Sequence, residues 1–366
     1  MKAAIISLNG TSSKLIAESM NNYFDKVDML NIKKFEVLMK AGSMQILYDG
    51  ESLKKYDCIL ARGSFKYAQI LHAISKTLEQ FCYMPMSAES FLIGHDKFLS
   101  QIAFNTKNIS MPVAYYASSD QATKRTLNNI SYPIVMKMPN GTHGKGVMFA
   151  DSKESAKSIL DAMGALKQPF IIQEFIDTGG KDIRAIVVGD KVVACMERKS
   201  ISGENRSNIH AGGKGYNIEL DDITKDMCVR TSKTLGCDIS AIDIMMDSKG
   251  PLVLELNLSP GLQGIMKATK IDVADHMAKF LFEKTRDLKI KSTKKETGEL
   301  FQELGLSDKK IKNGFHEMIT TLDHRGKRIL LPESVSKLGV LNEVDEYVIK
   351  VAKNKIIIEK FDLNNV

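Results

Sequence analysis

No stretch of this chain holds an uninterrupted apolar run near the ~20 residues that a membrane-spanning helix needs, so the sequence predicts no transmembrane segment. The first residues, MKAAIISLNG, carry an apolar run too short for a secretory signal and read as an opening strand. The five cysteines (Cys58, Cys82, Cys195, Cys228 and Cys237) form no CxxC pair, and four lie in or beside apolar segments. That usage argues against a zinc site or a disulfide framework and for reduced thiols in the cytoplasm. No GxGxxG follows the first strand, which leaves dinucleotide binding unsupported, and no Gly-Lys-Ser/Thr precedes a helix as in a Walker loop. Internal repeats, low-complexity tracts and a Ser/His/Asp or Cys/His nucleophile arrangement are also missing. In bulk the chain is ordinary for a globular protein of two or three domains: 366 residues, 43% hydrophobic, 26% charged, with a net charge of +7. That mild excess suits nucleic acid, nucleotides or acidic protein tails and does not choose among them.

What is present gathers around Ala241 to Gly261, AIDIMMDSKGPLVLELNLSPG. From Leu252 to Ser259 the pattern alternates, with Leu252, Leu254, Leu256 and Leu258 on one face and Val253, Glu255, Asn257 and Ser259 on the other. Period two predicts a half-buried strand. Asp-Ser-Lys-Gly-Pro before it has the composition of a hairpin turn, and Asp243 is the one carboxylate within the preceding apolar run. If Met246 and Leu252 flank a five-residue loop, Asp243 stands opposite Glu255 with Cβ atoms roughly 5 Å apart. Two carboxylates that close repel in a half-buried site, and a divalent cation removes the cost. Oxygen ligands of this kind suit magnesium, with substrate phosphates completing the shell. A solvated sheet face with acidic hairpin ends is the alternative.

Other stretches carry polar groups in unusual places. Lys137 interrupts the apolar strand Pro133 to Met138 and needs an anionic partner, from protein or ligand. The loop Asn140 to Gly146, NGTHGKG, holds Gly141, Gly144 and Gly146, which free its backbone to cradle phosphate or to make an ordinary hairpin. Lys97 follows Asp96 in an amphipathic helix, where a surface position also explains it. Glu174 ends the apolar strand PFIIQEFI. Asp182 and Arg184 share a strand face; Arg198 and Lys199 end the next strand. The polar stretch from Asn205 to Gly215 is either filler or a lid that closes on anions. Arg184, Arg198, Lys199 and Arg206 together suit phosphate and carboxylate groups. His143 and His210 read as polar contacts.

The coarse element pattern is α/β. Strands are predicted at Lys2 to Ser7, Tyr56 to Ala61, Pro112 to Tyr116 and Val147 to Ala150, with two more between Asp182 and Met196. Helices are predicted at about Lys14 to Tyr23, Gln69 to Phe81, Phe91 to Phe104 and Glu154 to Met163. The charged stretch Lys284 to Thr297 reads as a linker. Beyond it, short strands are predicted around Arg328 to Leu331, Tyr347 to Val351 and Lys355 to Glu359, with a short helix at Glu333 to Leu338.

The order of these pieces carries more than any one of them. Lysine, strand lysine, glycine loop, Gln-Glu hinge, Asp-x-Arg, Arg-Ser-Asn loop, Asp and Glu-x-Asn follow one another. This order resembles the ATP-grasp superfamily, and within it the RimK-like glutamate ligases. The match is close over IIQEFIDTGGKDIRAIVVGDKVVACMERK, RSNIHAGG, LVLELNLSPGLQGI and TKID, and covers roughly three quarters of the chain.

The resemblance implies an α/β (α+β) ATP-grasp fold. Residues 1–88 would form a pre-ATP-grasp domain and residues 89–284 the ATP-grasp domain, with subdomains at about 89–172 and 173–284; a charged linker or helix would occupy 285–316. It implies that Lys97 and Lys137 contact ATP phosphates under the loop Gly141 to Gly146. Glu174, Phe175 and Ile176 would hold the adenine, Phe175 replacing a common tyrosine, and Asp182 would touch the nucleotide sugar. Asp243, Glu255 and Asn257 would bind two magnesium ions (or manganese), and Arg184, Arg206 and Asn208 would face the reacting carboxylate.

The implied reaction is ATP-dependent formation of an amide through an acyl phosphate. Its expected substrates are glutamate or another amino acid and a peptide or protein C-terminus; a small-molecule carboxylate is the alternative acceptor. The tail, residues 317–361, resembles the AbrB-like swapped-hairpin domain, which implies a homodimer or higher homo-oligomer. Nucleic-acid binding by that tail, as in a nucleotide-sensing regulator, is the competing reading from another class.

Overall fold

The computed structural model describes residues 1–139, 146–165, 169–199, 214–303, 323–326, 328–331, 335–336, 341, 345–353 and 355–361. The chain divides into two compact units, Met1–Asp287 and Leu288–Val366.

The first unit opens with β1 (Lys2–Ser7), α1 (Thr11–Met20) and β2 (Lys26–Asn31). A small antiparallel sheet follows: β3 (Phe35–Lys40), β4 (Ser43–Tyr48) and β5 (Glu51–Ser52). Then come β6 (Cys58–Ala61), α2 (Ala68–Leu78), α3 (Ala88–Ile93) and α4 (Lys97–Thr106). Strands β1, β2 and β6 pair in parallel in the order β2-β1-β6. Buried Ala3 to Ile6 and Cys58 to Ala61 form continuous apolar runs, as strands covered on both faces must. The single helix expected over Phe91 to Phe104 is two helices. Gly94 ends the first, and the Asp96 side chain caps the second by accepting from the N–H groups of Phe98 and Leu99.

The middle of the unit holds β7 (Ala114–Tyr115), α5 (Asp120–Asn129), β8 (Ile134–Lys137), β9 (Val147–Ala150), α6 (Lys153–Ala165) and β10 (Ile171–Glu174). These strands make a sheet in the order β7-β10-β8-β9, with a small core of its own around Leu127, Ile134, Met136, Leu160 and Ile172. A second antiparallel sheet, in the order β13-β12-β11-β14-β15, is built from β11 (Lys181–Val188), β12 (Lys191–Lys199), β13 (Lys214–Asn217), β14 (Ile239–Asp247) and β15 (Gly250–Asn257). It is accompanied by α7 (Asp222–Thr234), α8 (Gln263–Thr269) and α9 (Val273–Glu303). Its inner residues share one hydrophobic core with the parallel sheet. That continuous packing holds the 258–263 connection against the first domain: Arg62 Nη2 donates to Pro260 O at 2.7 Å, and Leu262 N donates to Ser12 Oγ at 2.9 Å.

Residues 284–297, expected as a linker, are helical within α9. Their Lys, Glu and Leu content carries good helix propensity, which favours the helix over the linker there.

The second unit contains two hairpins: β16 (Asp323–Arg325) with β17 (Arg328–Leu330), and β18 (Tyr347–Ala352) with β19 (Lys355–Lys360). Most of the helix expected at Glu333 to Leu338 lies outside the described residues. Among residues 288–291 and the described residues from Asp323 onward, none is buried.

Candidate active site

The site is organised by a register irregularity. Strands β14 and β15 are joined by the two-residue turn Ser248-Lys249, with Asp247 opposite Gly250 and Ile244 opposite Val253. Had that pairing run on unbroken, Asp243 would face Leu254. A β-bulge intervenes, and Asp243 stands opposite Glu255, with Ala241 opposite Asn257. The expected pairing is therefore present, reached by a different loop and an extra residue. The bulge also corrects the all-leucine face read from the sequence. Val253, Leu256 and Leu258 are buried, whereas Leu252 and Leu254 are partly exposed.

Around Asp243 the sheet assembles an ion network. Arg184, opposite Asp243 on β11, grips it bidentately: Nε to Oδ1 at 2.8 Å and Nη2 to Oδ2 at 2.7 Å. Arg198 Nη2 lies 3.0 Å from Asp243 Oδ2. The same guanidinium holds Asp182 through two 2.6 Å hydrogen bonds. Asn257 Nδ2 lies 3.4 Å from Asp243 Oδ2 and 3.3 Å from Glu255 Oε1, so it spans the two carboxylates. Burial alone would raise the Asp243 pKa, but Arg184 and then Arg198 outweigh it and hold the carboxyl well below the usual range. Burial likewise opposes the Arg198 charge, and Asp243 and Asp182 push its pKa upward despite it.

Lys137 belongs to the other sheet. It pairs with Ile171 in register, which sets Gln173 diagonally beside it on the same face. Its partner is the neutral Gln173 carbonyl oxygen, to which Nζ donates. Burial pushes the Lys137 pKa down to about 8; Glu255 opposes that shift and Lys97 adds to it. The partner is thus an amide rather than the anion expected from a lysine in an apolar strand, so the ammonium keeps its charge for a ligand. Lys97 begins α4, and its backbone N–H donates to Pro139 O at 3.1 Å. Gly146 closes the β8–β9 hairpin at φ +78°, where a Cβ would sit 2.8 Å from Met138 Sδ, so both conformation and space require glycine.

At the end of β10, Glu174 Oε1 accepts from Val113 N at 2.7 Å. Phe175 meets Phe149 edge to face, with ring centroids 5.9 Å apart. Ile176 follows at the entry to the second sheet. Gly141, Gly144, Arg206 and Asn208 lie outside the described residues.

The donor set fits magnesium. Two carboxylates and one amide share a sheet face, with no thiol or imidazole among them, which is the oxygen chemistry of a hard cation that keeps substrate phosphates as further ligands. Asp243, Glu255 and Asn257 would hold the metal, which when bound supplies charge neutralisation for the phosphates. The sequence places Gln173 in the Gln-Glu hinge but gives no sign of its contact with Lys137, and it gives Arg198 a place but no partner.

A model of the RimK-like ATP-grasp domain matches residues 94–281. The "Probable alpha-L-glutamate ligase 1" of Shewanella frigidimarina is 35% identical over 306 residues, covering 81% of this chain and 99% of that protein. The chain belongs to the RimK-like ATP-grasp family. A second relative, the "Probable alpha-L-glutamate ligase" of Syntrophotalea carbinolica, is 36% identical over 66% of this chain and 81% of its own length. Among solved structures, the ATP-grasp ligase PsnB complexed with minimal precursor, Mg and ADP has a TM-score of 0.61 at 17% identity, covering 78% of this chain and 98% of its own. The D-alanine–D-alanine ligase of Bacillus anthracis has a TM-score of 0.54 at 15% identity, covering 80% and 99%. As a RimK-like ATP-grasp protein whose relatives are named ligases, the chain is an ATP-dependent carbon–nitrogen ligase.

Proposed function

We propose that the chain adds glutamate, or a related amino acid, to the C-terminal carboxylate of a peptide or protein in the cytoplasm. The observation that carries this reading is the meeting of Asp243, Glu255 and Asn257 on one sheet face beside Arg184. The glutamate ligase names of the relatives support the amino acid, and the PsnB complex with its precursor supports a peptide acceptor. A carboxylate is a poor electrophile at neutral pH. Its oxygen attacks the γ-phosphorus, ADP leaves, and the amine then displaces phosphate from the acyl carbon while losing its proton. Such a sequence needs positioning and charge neutralisation rather than a protein nucleophile. Lys137 and Lys97 bind phosphate oxygens, the segment Glu174 to Ile176 holds the adenine, and Arg184 orients the reacting carboxylate. Asp182, which pairs with Arg198, contacts the nucleotide sugar. Arg206 and Asn208 face the reacting carboxylate and its acyl phosphate.

Incubation with ATP, magnesium, glutamate and a set of peptides ending in free carboxylates is expected to release ADP and to raise the peptide mass by one glutamyl residue per addition. Failure to form ADP across peptide and small-molecule carboxylates alike contradicts the assignment.

The second unit acts as a dimerisation module. Cross-strand pairs place Tyr347, Ile349, Val351, Ile356 and Ile358 on one face of the β18–β19 hairpin, with Ile349 62% and Val351 74% exposed. A lone two-stranded hairpin is marginal in water, and no described residue of β16 to β19 is buried. A second copy supplies the missing half of a core, in keeping with the AbrB-like resemblance. Light scattering is expected to give at least a dimer for the full chain and a monomer for the double variant Ile349→Glu, Val351→Glu. Equal masses for the two refute the hairpin interface.

A further inference from the structure

One buried cation has no part in the network described above. Arg62 directly follows β6 and is 5% exposed. Its Nη2 donates to Pro260 O, while its Nη1 is buried without a hydrogen-bond partner among the described residues. Arg184 and Arg198 each hold a carboxylate; Arg62 has none among the described residues. Burial pushes its pKa down to about 10, so it stays charged at neutral pH. A buried guanidinium without an anion is costly unless a ligand brings one.

Its place in the sheet says where such a ligand sits. After β1 the chain crosses to β2 on one side; after β6 it continues to Tyr83, which bridges Cys58 in parallel on the other side. The carboxyl ends of β1 and β6 thus flank a topological switch point, where open α/β sheets bind ligands. The ten-residue helix α1 begins there at Gly10 without a side-chain cap, presenting its positive end. Across from it runs the 258–263 connection, which starts at the residue after Asn257. Gly10 has an ordinary φ of −67°, and a Cβ added to Gly10 or to Gly261 meets nothing within 4 Å. Packing requires neither glycine, and both leave open space beside the crevice.

We propose that this crevice binds the unreacted α-carboxylate of the amino acid that supplies the amine, with Arg62 as its charge partner. The choice of carboxylate follows from the chemistry. The acyl carboxylate must reach the ATP phosphate beside Arg184, whereas every incoming amino acid carries an α-carboxylate that takes no part in the reaction. Arg62 is then a specificity-determining residue for the amine substrate. The inference rests on the ligase reading above.

The test is steady-state ADP release by wild type, Arg62→Met, Arg62→Lys and Gly261→Val, with glutamate and with its α-amide, isoglutamine. For Arg62→Met the KM for glutamate is expected to rise roughly 10- to 100-fold, as for loss of a charged hydrogen bond, while the KM values for ATP and acceptor change less than about twofold. Wild type is expected to prefer glutamate over isoglutamine, and Arg62→Met to lose that preference. Arg62→Lys recovers part of it. Gly261→Val, whose added atoms enter open space, is expected to raise the glutamate KM without lowering Tm. An unchanged glutamate KM overturns the proposal, and so does a fall in kcat alone with the amide discrimination intact. Calorimetric titration of glutamate into wild type and Arg62→Met without ATP gives a readout independent of turnover. Binding lost in the variant supports the site, and equal or absent binding in both rejects it. Absence of ADP from wild type with every amino acid, alongside Arg62-dependent glutamate binding, defeats the ligase reading and leaves the carboxylate site standing.

Discussion

Asp243→Ala is expected to abolish ADP release and to lower the unfolding free energy by about 3–5 kcal/mol, the cost of removing one member of a buried ion network. Asp243 is 2% exposed and neutralises two arginines at once. Without it, Arg184 and Arg198 face each other across a low-dielectric sheet face with only Asp182 to share. Glu255→Gln separates the two roles. Glu255 stands directly opposite Asp243 and has no arginine partner among the described residues, so its charge opposes that of its neighbour. Its neutralisation is expected to abolish turnover while leaving the urea midpoint unchanged or slightly raised. If Asp243→Ala unfolds at the wild-type midpoint, the network does not hold the sheet; if Glu255→Gln turns over normally, the metal assignment is wrong.

Lys137→Met is expected to reduce kcat/KM for ATP roughly 100- to 1,000-fold, the scale of losing one preorganised charge from a phosphoryl-transfer site. The wild-type pH profile follows from the same ammonium. With its pKa pushed down to about 8, Lys137 loses its charge across pH 7 to 9, so kcat/KM for ATP is expected to fall as pH rises through 8. Folding has the opposite sign. The unfolded lysine titrates near 10.4 and binds the extra proton between about pH 8 and that value. Stability contributed through this residue therefore rises with pH over that window, and Lys137→Met flattens it. Urea unfolding at pH 7 and pH 10 checks the second trend, and ATP kinetics check the first. A profile flat to pH 10 in wild type excludes Lys137 as the titrating group.

Local pattern made much of this protein legible. Apolar runs of four to six residues marked β1, β6 and β8. Lys137 in β8 and Asp243 in β14 stand out because an ion in an apolar strand needs a reason. Other features were invisible for the same locality. The antiparallel sheet from Phe35 to Ser52 went unremarked because its alternation is diluted by surface lysines and glutamates. The charged stretch 284–297 leaves linker and helix both open, because charge and helix propensity point different ways there; it lies within α9. The leucine face of β15 was misread because a one-residue bulge reverses inside and outside, and nothing in an unbroken alternation marks where it falls.

Sequence alone determined which residues could do chemistry here, and in what order: side-chain type and strand period are properties of neighbours in the chain. Tertiary structure alone decided who partners whom. Arg198 bridges two acids on separate strands, Lys137 leans on an amide 36 residues away, and Arg62 reaches a carbonyl 198 residues away. Those pairings depend on burial, which removes the water that would otherwise satisfy each group, and burial exists only once distant segments have packed together.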